Sequence, residues 1–107
     1  MTTLVIHAPD YRVKNGGKSF EAILEDGIGP GYAIWDKWVK IIRSGLTVVL
    51  LRKDKNKKRA EGILDTLVGT NRYVNGVQRH DIHIKGLTIV PYKSEKLNRY
   101  GVAVIDC

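Results

Sequence analysis

The segment LTVVLL at residues 46–51 is followed by RKDKNKKR at residues 52–59 and by AEGILDTLV at residues 60–68. The first run is apolar and β-branched, too short for a typical helix and well sized for a central strand. Residues 52–59, the basic segment, hold no apolar residue to bury, so we expect a solvated turn. The third run returns as a strand, in which Gly62 is expected to mark a bulge or close approach. Together they predict a long hairpin.

A second hairpin is predicted by Asn75-Gly76, because this dipeptide between apolar flanks is the sequence signal of a type I′ turn. Its strands are expected at residues 66–74 and 77–84. Further strands are predicted at residues 4–8, 87–92 and 101–105.

Two short helices are predicted between the first strand and the others. Ser19 can cap one that ends at Gly27. The second follows from apolar residues repeated at the spacing of one helical face, at Ile34, Trp35, Trp38, Ile41 and Ile42. Between them, GIGPG at residues 27–31 is expected to turn the chain rather than to form regular structure.

These elements predict one domain over residues 1–107, because a chain of this length can bury only one modest core. About six strands with two short helices indicate a mostly β protein of the α+β class. We expect a small, closed or partly open antiparallel β-barrel, with the helices over one end or flank.

The order of elements resembles the PUA-like group of small β-barrels, and within it the EVE and YTH-type domains. Four features carry the resemblance: an opening strand followed by helices that hold Trp35 and Trp38, a helix end that feeds a tight turn into a strand at residues 41–50, the small-residue step Ala60-Glu61-Gly62-Ile63, and a final strand at residues 101–105. Gly45-Leu46 stands where members often have Gly-Asp. The resemblance implies binding of RNA, or of a modified base flipped into an aromatic pocket, without catalysis.

Net charge is the strongest bulk signal. The chain has 18 Lys and Arg against 11 Asp and Glu, a net charge of +7 and a pI near 9.7. Such a balance favours polyanions, and nucleic acid is the partner we expect. Anionic membrane surfaces and acidic proteins satisfy the same charge, although no apolar run approaches the roughly 20 residues that span a bilayer.

A cytoplasmic protein is expected from the remaining bulk features. The first residues lack the basic n-region of a signal peptide. Cys107 is the one cysteine and cannot form an internal disulfide, which fits a reducing compartment.

The basic segment contains one third of the basic residues of the chain, and we predict that these residues contact phosphates: Arg52, Lys53, Lys55, Lys57, Lys58 and Arg59. A hairpin tip would present them as a finger. The alternative is a solvated turn whose lysines only deter edge-to-edge aggregation.

An aromatic pocket for a base is predicted around Trp35 and Tyr32, with Tyr11 and Tyr73 as further candidates. Exposed aromatic rings can stack on bases. Trp38, at the centre of the apolar stripe, is expected to be core. Each tyrosine alone is more often a packing residue than a ligand contact.

His80 and His83 are the remaining candidates for a metal-binding or acid–base site. Side chains alternate along a strand, so His80 and His83 face opposite sides, and we expect no metal site and no cofactor. The favoured function is a non-catalytic nucleic-acid-binding module. A protein-interaction or inhibitory module that engages an acidic surface stays open, as does a metal-independent ribonuclease using His80 or His83 with Lys85 or His7.

Overall fold

A computed structural model of the chain describes residues 2–8, 18–53 and 56–106. Its elements in chain order are β1 (Thr2–His7), α1 (Phe20–Asp26), β2 (Ile28–Ala33), α2 (Asp36–Val39), β3 (Thr47–Arg52), β4 (Lys58–Val74), β5 (Val77–Val90) and β6 (Val102–Asp106). The expected class, mostly β with two short helices, is confirmed.

All six strands belong to one sheet, in the order β2-β5-β4-β3-β1-β6, which curls into a half-barrel. The expectation of an entirely antiparallel sheet is wrong at one pair, because β1 and β3 run parallel. Parallel neighbours need a long crossover connection, and here the crossover contains α1, β2 and α2. The sheet stays open, with β2 and β6 at its edges.

The two predicted hairpins share one strand, β4, which pairs with β3 on one side and with β5 on the other. Residues 60–68 and 66–74 form the single 17-residue strand β4, and β5 continues for 14 residues through the predicted break after residue 84. The turn is confirmed, since Asn75 has a φ of 49° and Gly76 a φ of 78°, as a type I′ turn requires. The pairing of β4 with β5 shifts register at three places, and such bulges bend long strands into a curled sheet.

Gly62 lies at the first of these shifts, as the sequence predicted. A Cβ atom added there would stand 2.7 Å from the carbonyl oxygen of Lys85 and 2.8 Å from a methyl carbon of Ile84. The bulge therefore brings two backbones closer than any side chain allows.

The glycine-rich stretch after α1 is a strand rather than the predicted turn. Residues 28–33 form the edge strand β2, which pairs with β5 and shifts register between Gly29 and Tyr32. An edge position tolerates Pro30, because one side of the strand needs no ladder hydrogen bond. Gly31 adopts a φ of 71°, which allows the irregular step.

The first helix follows its sequence signals and the second does not. The Oγ of Ser19 accepts from the backbone N–H of Ala22 at 3.3 Å, and Gly27 ends α1 in the left-handed conformation. Helix α2 is only four residues long, and it begins after Trp35, which is extended and makes no side-chain capping hydrogen bond. Two residues of the predicted apolar face, Ile34 and Ile42, are nevertheless buried, although both lie outside the helix.

Both faces of the sheet are covered around β1 and β3. The inner face carries the larger cluster, to which β1 contributes Leu4 and Ile6 and α1 contributes Phe20 and Ile23. The outer face carries a smaller cluster of Val5, Val49, Leu51 and Ala103, against which Leu97 packs. The segment between β5 and β6, residues 91–101, therefore lies over the outer face. We call it the strap.

Within the described part of the chain, no helix has the length and apolar character needed to cross a membrane.

The close approach at Gly62 predicts an asymmetry between two glycine substitutions. Gly62→Ala should lower the free energy of unfolding by about 1–3 kcal/mol, because a backbone carbonyl must move. Gly69→Ala is the matched control in the same strand. Its Cβ would meet only the flexible amide end of Gln78, so we expect a loss of about 1 kcal/mol or less. Urea unfolding measures both, and equal losses would contradict the assigned close approach.

Candidate functional site

The two arginines that end the basic segment are buried. Arg52 is 5% exposed at the end of β3, and Arg59 is 8% exposed at the start of β4. The expectation of a wholly solvated turn is therefore wrong for these two residues. A buried guanidinium needs hydrogen-bonding partners of opposite charge, and both arginines have them.

Glu21 of α1 reaches the basic segment from the inner side. Its Oε1 lies 3.4 Å from Nη1 of Arg52 and 2.8 Å from Nζ of Lys58. One carboxylate thus joins two cations on neighbouring strands and ties α1 to the sheet.

Arg59 is bound from the outer side by two carboxylates. Its Nε donates to Glu61 at 3.0 Å, and its Nη1 donates to Glu95 at 3.0 Å and to the carbonyl oxygen of Lys93 at 2.8 Å. Burial alone would lower the pKa of Arg59, but these carboxylates stabilise the charged form and raise the pKa above its ordinary value. Arg59 therefore fixes the strap to the sheet.

Because Arg52, Lys58 and Arg59 form ion pairs, the other lysines of the basic segment are its candidates for binding a phosphate. Lys57 is exposed and has no ion pair with a described residue. The Nζ of Lys53 donates to the carbonyl oxygen of Glu95 at 3.2 Å but is otherwise exposed. Lys55 lies outside the described residues. Phosphate contact by this segment stays a prediction.

The two tryptophans stack on each other at the start of α2. Their ring centroids are 4.7 Å apart and their planes are inclined by 33°. The Nζ of Lys37 lies 4.8 Å from the ring centroid of Trp35 and 5.9 Å from that of Trp38, within the range of cation–π attraction. We call these three side chains the tryptophan platform.

The members of the platform differ in their attachment to the core. Trp38 packs against the inner cluster but is only partly buried, so the expectation that it belongs to the core is confirmed in part. Trp35 is half-buried and is absent from both clusters among the described residues, so its ring rests on Trp38 instead. Lys37 was not predicted from the sequence. Its position in the sequence between the two tryptophans was the available signal.

Tyr32 has a structural contact. Its hydroxyl donates to the carbonyl oxygen of His7 at 2.8 Å, and its ring packs against the inner cluster. Burial raises the pKa of Tyr32 far above its ordinary value. Since β2 and β1 are not neighbours in the sheet, this bond holds the edge strand over the inner face of the half-barrel.

Tyr73 makes no ring contact with the tryptophan platform among the described residues. Tyr73 is 61% exposed beside the β4–β5 turn. Tyr11 lies outside the described residues.

The histidines of β5 have different surroundings. His80 is 4% exposed, and its Nδ1 lies 3.2 Å from the carbonyl oxygen of Gln78. His83 is half-buried. No group of three or more His, Cys, Asp or Glu residues suited to a metal ion occurs among the described residues.

Comparison with known proteins identifies no relative. No protein-family description, no curated protein and no solved structure matches the chain.

The contacts of Arg59 predict that Glu95 contributes to stability. Glu95→Gln removes the charge of one of its two acidic partners at a site where both side chains are largely buried, so the free energy of unfolding should fall by about 1–3 kcal/mol. The control is Asp65→Asn, because Asp65 pairs with the exposed Lys85 at 3.1 Å; that change should cost at most about 0.5 kcal/mol. Urea unfolding compares them, and a Glu95 variant as stable as the wild type would contradict the assignment.

Proposed function

We propose that this chain is a non-catalytic nucleic-acid-binding module of the cytoplasm, built on a PUA-like half-barrel. Its ligand is a single-stranded or flipped-out base in RNA or in modified DNA. The base stacks on the tryptophan platform, and exposed lysines meet the phosphates.

The observation that carries the proposal is the geometry of the platform. Trp35 presents a large ring that is supported from below by Trp38 rather than buried in the core. Because every base has a π face, such a ring can take any base, and each stacked base is worth about 1–3 kcal/mol. The ammonium group of Lys37 lies over the face of this ring, 4.8 Å from its centroid. A base that stacks on that face displaces the ammonium, which then lies close enough to meet the phosphate of the same nucleotide.

The distribution of charge supports the same function. Ion pairs between described residues engage five basic side chains: Lys18, Arg52, Lys58, Arg59 and Lys85. Other lysines are exposed without such a pair, among them Lys37, Lys40 and Lys57. The excess positive charge of the chain therefore lies largely outside its internal ion pairs, where it can release counterions from a phosphate backbone.

The platform predicts a direct optical signal, because Trp35 and Trp38 are the two tryptophans of the chain. Titration with a short single-stranded RNA should quench their fluorescence as a base stacks. Trp35→Phe should keep most of the affinity, whereas Trp35→Ala should raise the Kd by roughly 5- to 150-fold, the equivalent of one lost stacking contact. Parallel titrations with DNA of the same sequence and with methylated DNA show which of the three nucleic acids the protein prefers.

The matched control for Trp35 is Tyr92→Ala, which removes an exposed aromatic ring beyond the opposite end of β5. It should leave the Kd unchanged. Equal effects of the Trp35 and Tyr92 variants, or no binding to any of the three nucleic acids, would exclude the proposal. A protein captured after nuclease treatment would favour the acidic-partner alternative instead.

The exposed lysine of the basic segment predicts a change in salt dependence. Lys57→Ala should reduce the slope of log K against log salt by about 0.7, the value for one phosphate of a single strand. Lys85→Ala is the control, because the Lys85 ammonium already pairs with Asp65. Fluorescence anisotropy between 50 and 300 mM salt, roughly the range in which phosphate contacts weaken, measures the slope. An unchanged slope would remove Lys57 from the interface.

A further inference from the structure

Two arginines on facing strands of the long hairpin converge on one glycine of the edge strand. A carbon placed as Cβ on Gly31 would lie 3.2 Å from Nη2 of Arg72 and 3.9 Å from Nη1 of Arg79. Both guanidinium groups therefore reach the same small volume beside β2. Gly31 itself contributes no side chain to that volume.

A β-bulge brings the two arginines to this point. Gly69 pairs with His80 and Tyr73 pairs with Gln78, so residues 70–72 of β4 face a single residue of β5, Arg79. Bulges commonly redirect a side chain next to a functional site.

The bulge is fixed by its own hydrogen bonds. The Oγ1 of Thr70 donates to the carbonyl oxygen of Arg79 at 2.8 Å and accepts from the N–H of Arg72 at 3.2 Å. The amide of Gln78 donates to the carbonyl oxygen of Thr70 at 2.8 Å. Hydrogen bonds from the side chains of Thr70 and Gln78 to the backbone thus hold the positions from which both arginines project.

The pair has no counter-ion within the described structure. Like charges on directly facing strand positions repel each other, yet neither arginine forms an ion pair with a described carboxylate. Nη1 of Arg79 donates to the carbonyl oxygen of Gly31 at 2.7 Å, and Asp81 uses its Oδ1 to accept from the N–H of Gly31 at 2.9 Å. These contacts hold the cluster together without neutralising either guanidinium.

We propose that Arg72 and Arg79 form an oxyanion site that takes a phosphate group beside Gly31. A guanidinium group presents a planar fork of N–H donors that matches the oxygen atoms of a phosphate, and two such groups bind one anion more specifically than single lysines do. The anion would also remove the repulsion between the two arginines.

The position of this site connects it to the tryptophan platform. Trp35 follows Gly31 by four residues, and the N–H of Ile34 bonds to the carbonyl oxygen of Gln78 at 3.3 Å, next to Arg79. Insofar as the chain binds nucleic acid, the arginine pair takes the backbone phosphate next to the base on Trp35. This last assignment rests on the proposed function, whereas the oxyanion site does not.

The test titrates inorganic phosphate into isotope-labelled protein, with chloride at matched ionic strength as the reference, and follows amide resonances by NMR. The resonances of Gly31, Arg72 and Arg79 should shift and saturate. Arg72→Gln should weaken phosphate binding at least tenfold. Its guanidinium makes no hydrogen bond to a described residue, so the thermal melt should stay unchanged.

The matched control is Arg43→Gln, because the Arg43 guanidinium is exposed and bonds only to the nearby carbonyl oxygens of Lys40 and Ile42 among the described residues. It should leave phosphate binding within twofold. Phosphate shifts that are absent from this cluster, or that persist with the same affinity in Arg72→Gln, would overturn the oxyanion site.

A second titration of the same variants with labelled single-stranded RNA separates the source of the phosphate. Loss of both phosphate and RNA affinity in Arg72→Gln assigns the site to a nucleic-acid backbone. Loss of phosphate affinity alone assigns it to a free phosphate or a phosphomonoester, which also supports the site. A wild type that binds phosphate here but binds no RNA contradicts only the proposed function.

Discussion

The parallel pairing of β1 with β3 is the constraint on which the rest of the structure depends. The two strands pair in register from Thr3 with Thr47 to His7 with Leu51, and they are buried on both faces. A parallel pair cannot be joined by a tight turn, so a long crossover must connect the end of β1 to the start of β3. That crossover contains α1, the edge strand and α2. The tryptophan platform and Gly31 both lie on it, at positions that a meander of hairpins would not have produced.

Burial of β1 and β3 on two faces also explains why the basic segment forms ion pairs with α1 and with the strap. The inner face is covered by α1 and the outer face by the strap, and neither cover is itself part of the sheet. Arg52 and Lys58 attach α1 through Glu21, and Arg59 attaches the strap through Glu95. An ion pair at the edge of a cluster can fix the position of a cover that apolar contacts alone would leave free to slide. Three of the six basic side chains of the basic segment therefore serve the fold.

Local signals predicted the parts of this fold that depend on neighbours in sequence. The turn at Asn75-Gly76 and the caps of α1 each follow from residues a few positions apart. At Gly62 the glycine itself was the signal, although the residues it approaches, Ile84 and Lys85, are more than 20 positions away. The strand β2 was missed because glycine and proline dominate it, and only its position at an edge makes such a composition acceptable.

The burial of the arginines was missed for a different reason. Arg52 is separated from Glu21 by 31 residues, and Arg59 from Glu95 by 36, so the charge pattern around residues 52–59 gave no sign of these two partners. Only Glu61, two residues from Arg59, was close enough in sequence to be noticed. The pair Arg72 and Arg79 did leave a signal. A two-residue turn at Asn75-Gly76 places these residues opposite each other, and a like-charged pair in that position calls for an explanation.

The cations of this chain fall into two groups that respond differently to their surroundings. Arg59 and its partner Glu95 are both largely buried, so mobile ions screen that pair weakly. Arg52 is buried but its partner Glu21 is half exposed, and α1 is also held by Phe20 and Ile23 in the inner cluster. Lys37, Lys57 and Arg72 are exposed, and their attraction to an anion weakens as salt rises. Salt should therefore separate binding from folding: a concentration that releases a polyanion leaves the strap and α1 attached. A chain with a net charge of +7 can in this way keep its fold while its affinity for phosphates varies with ionic strength.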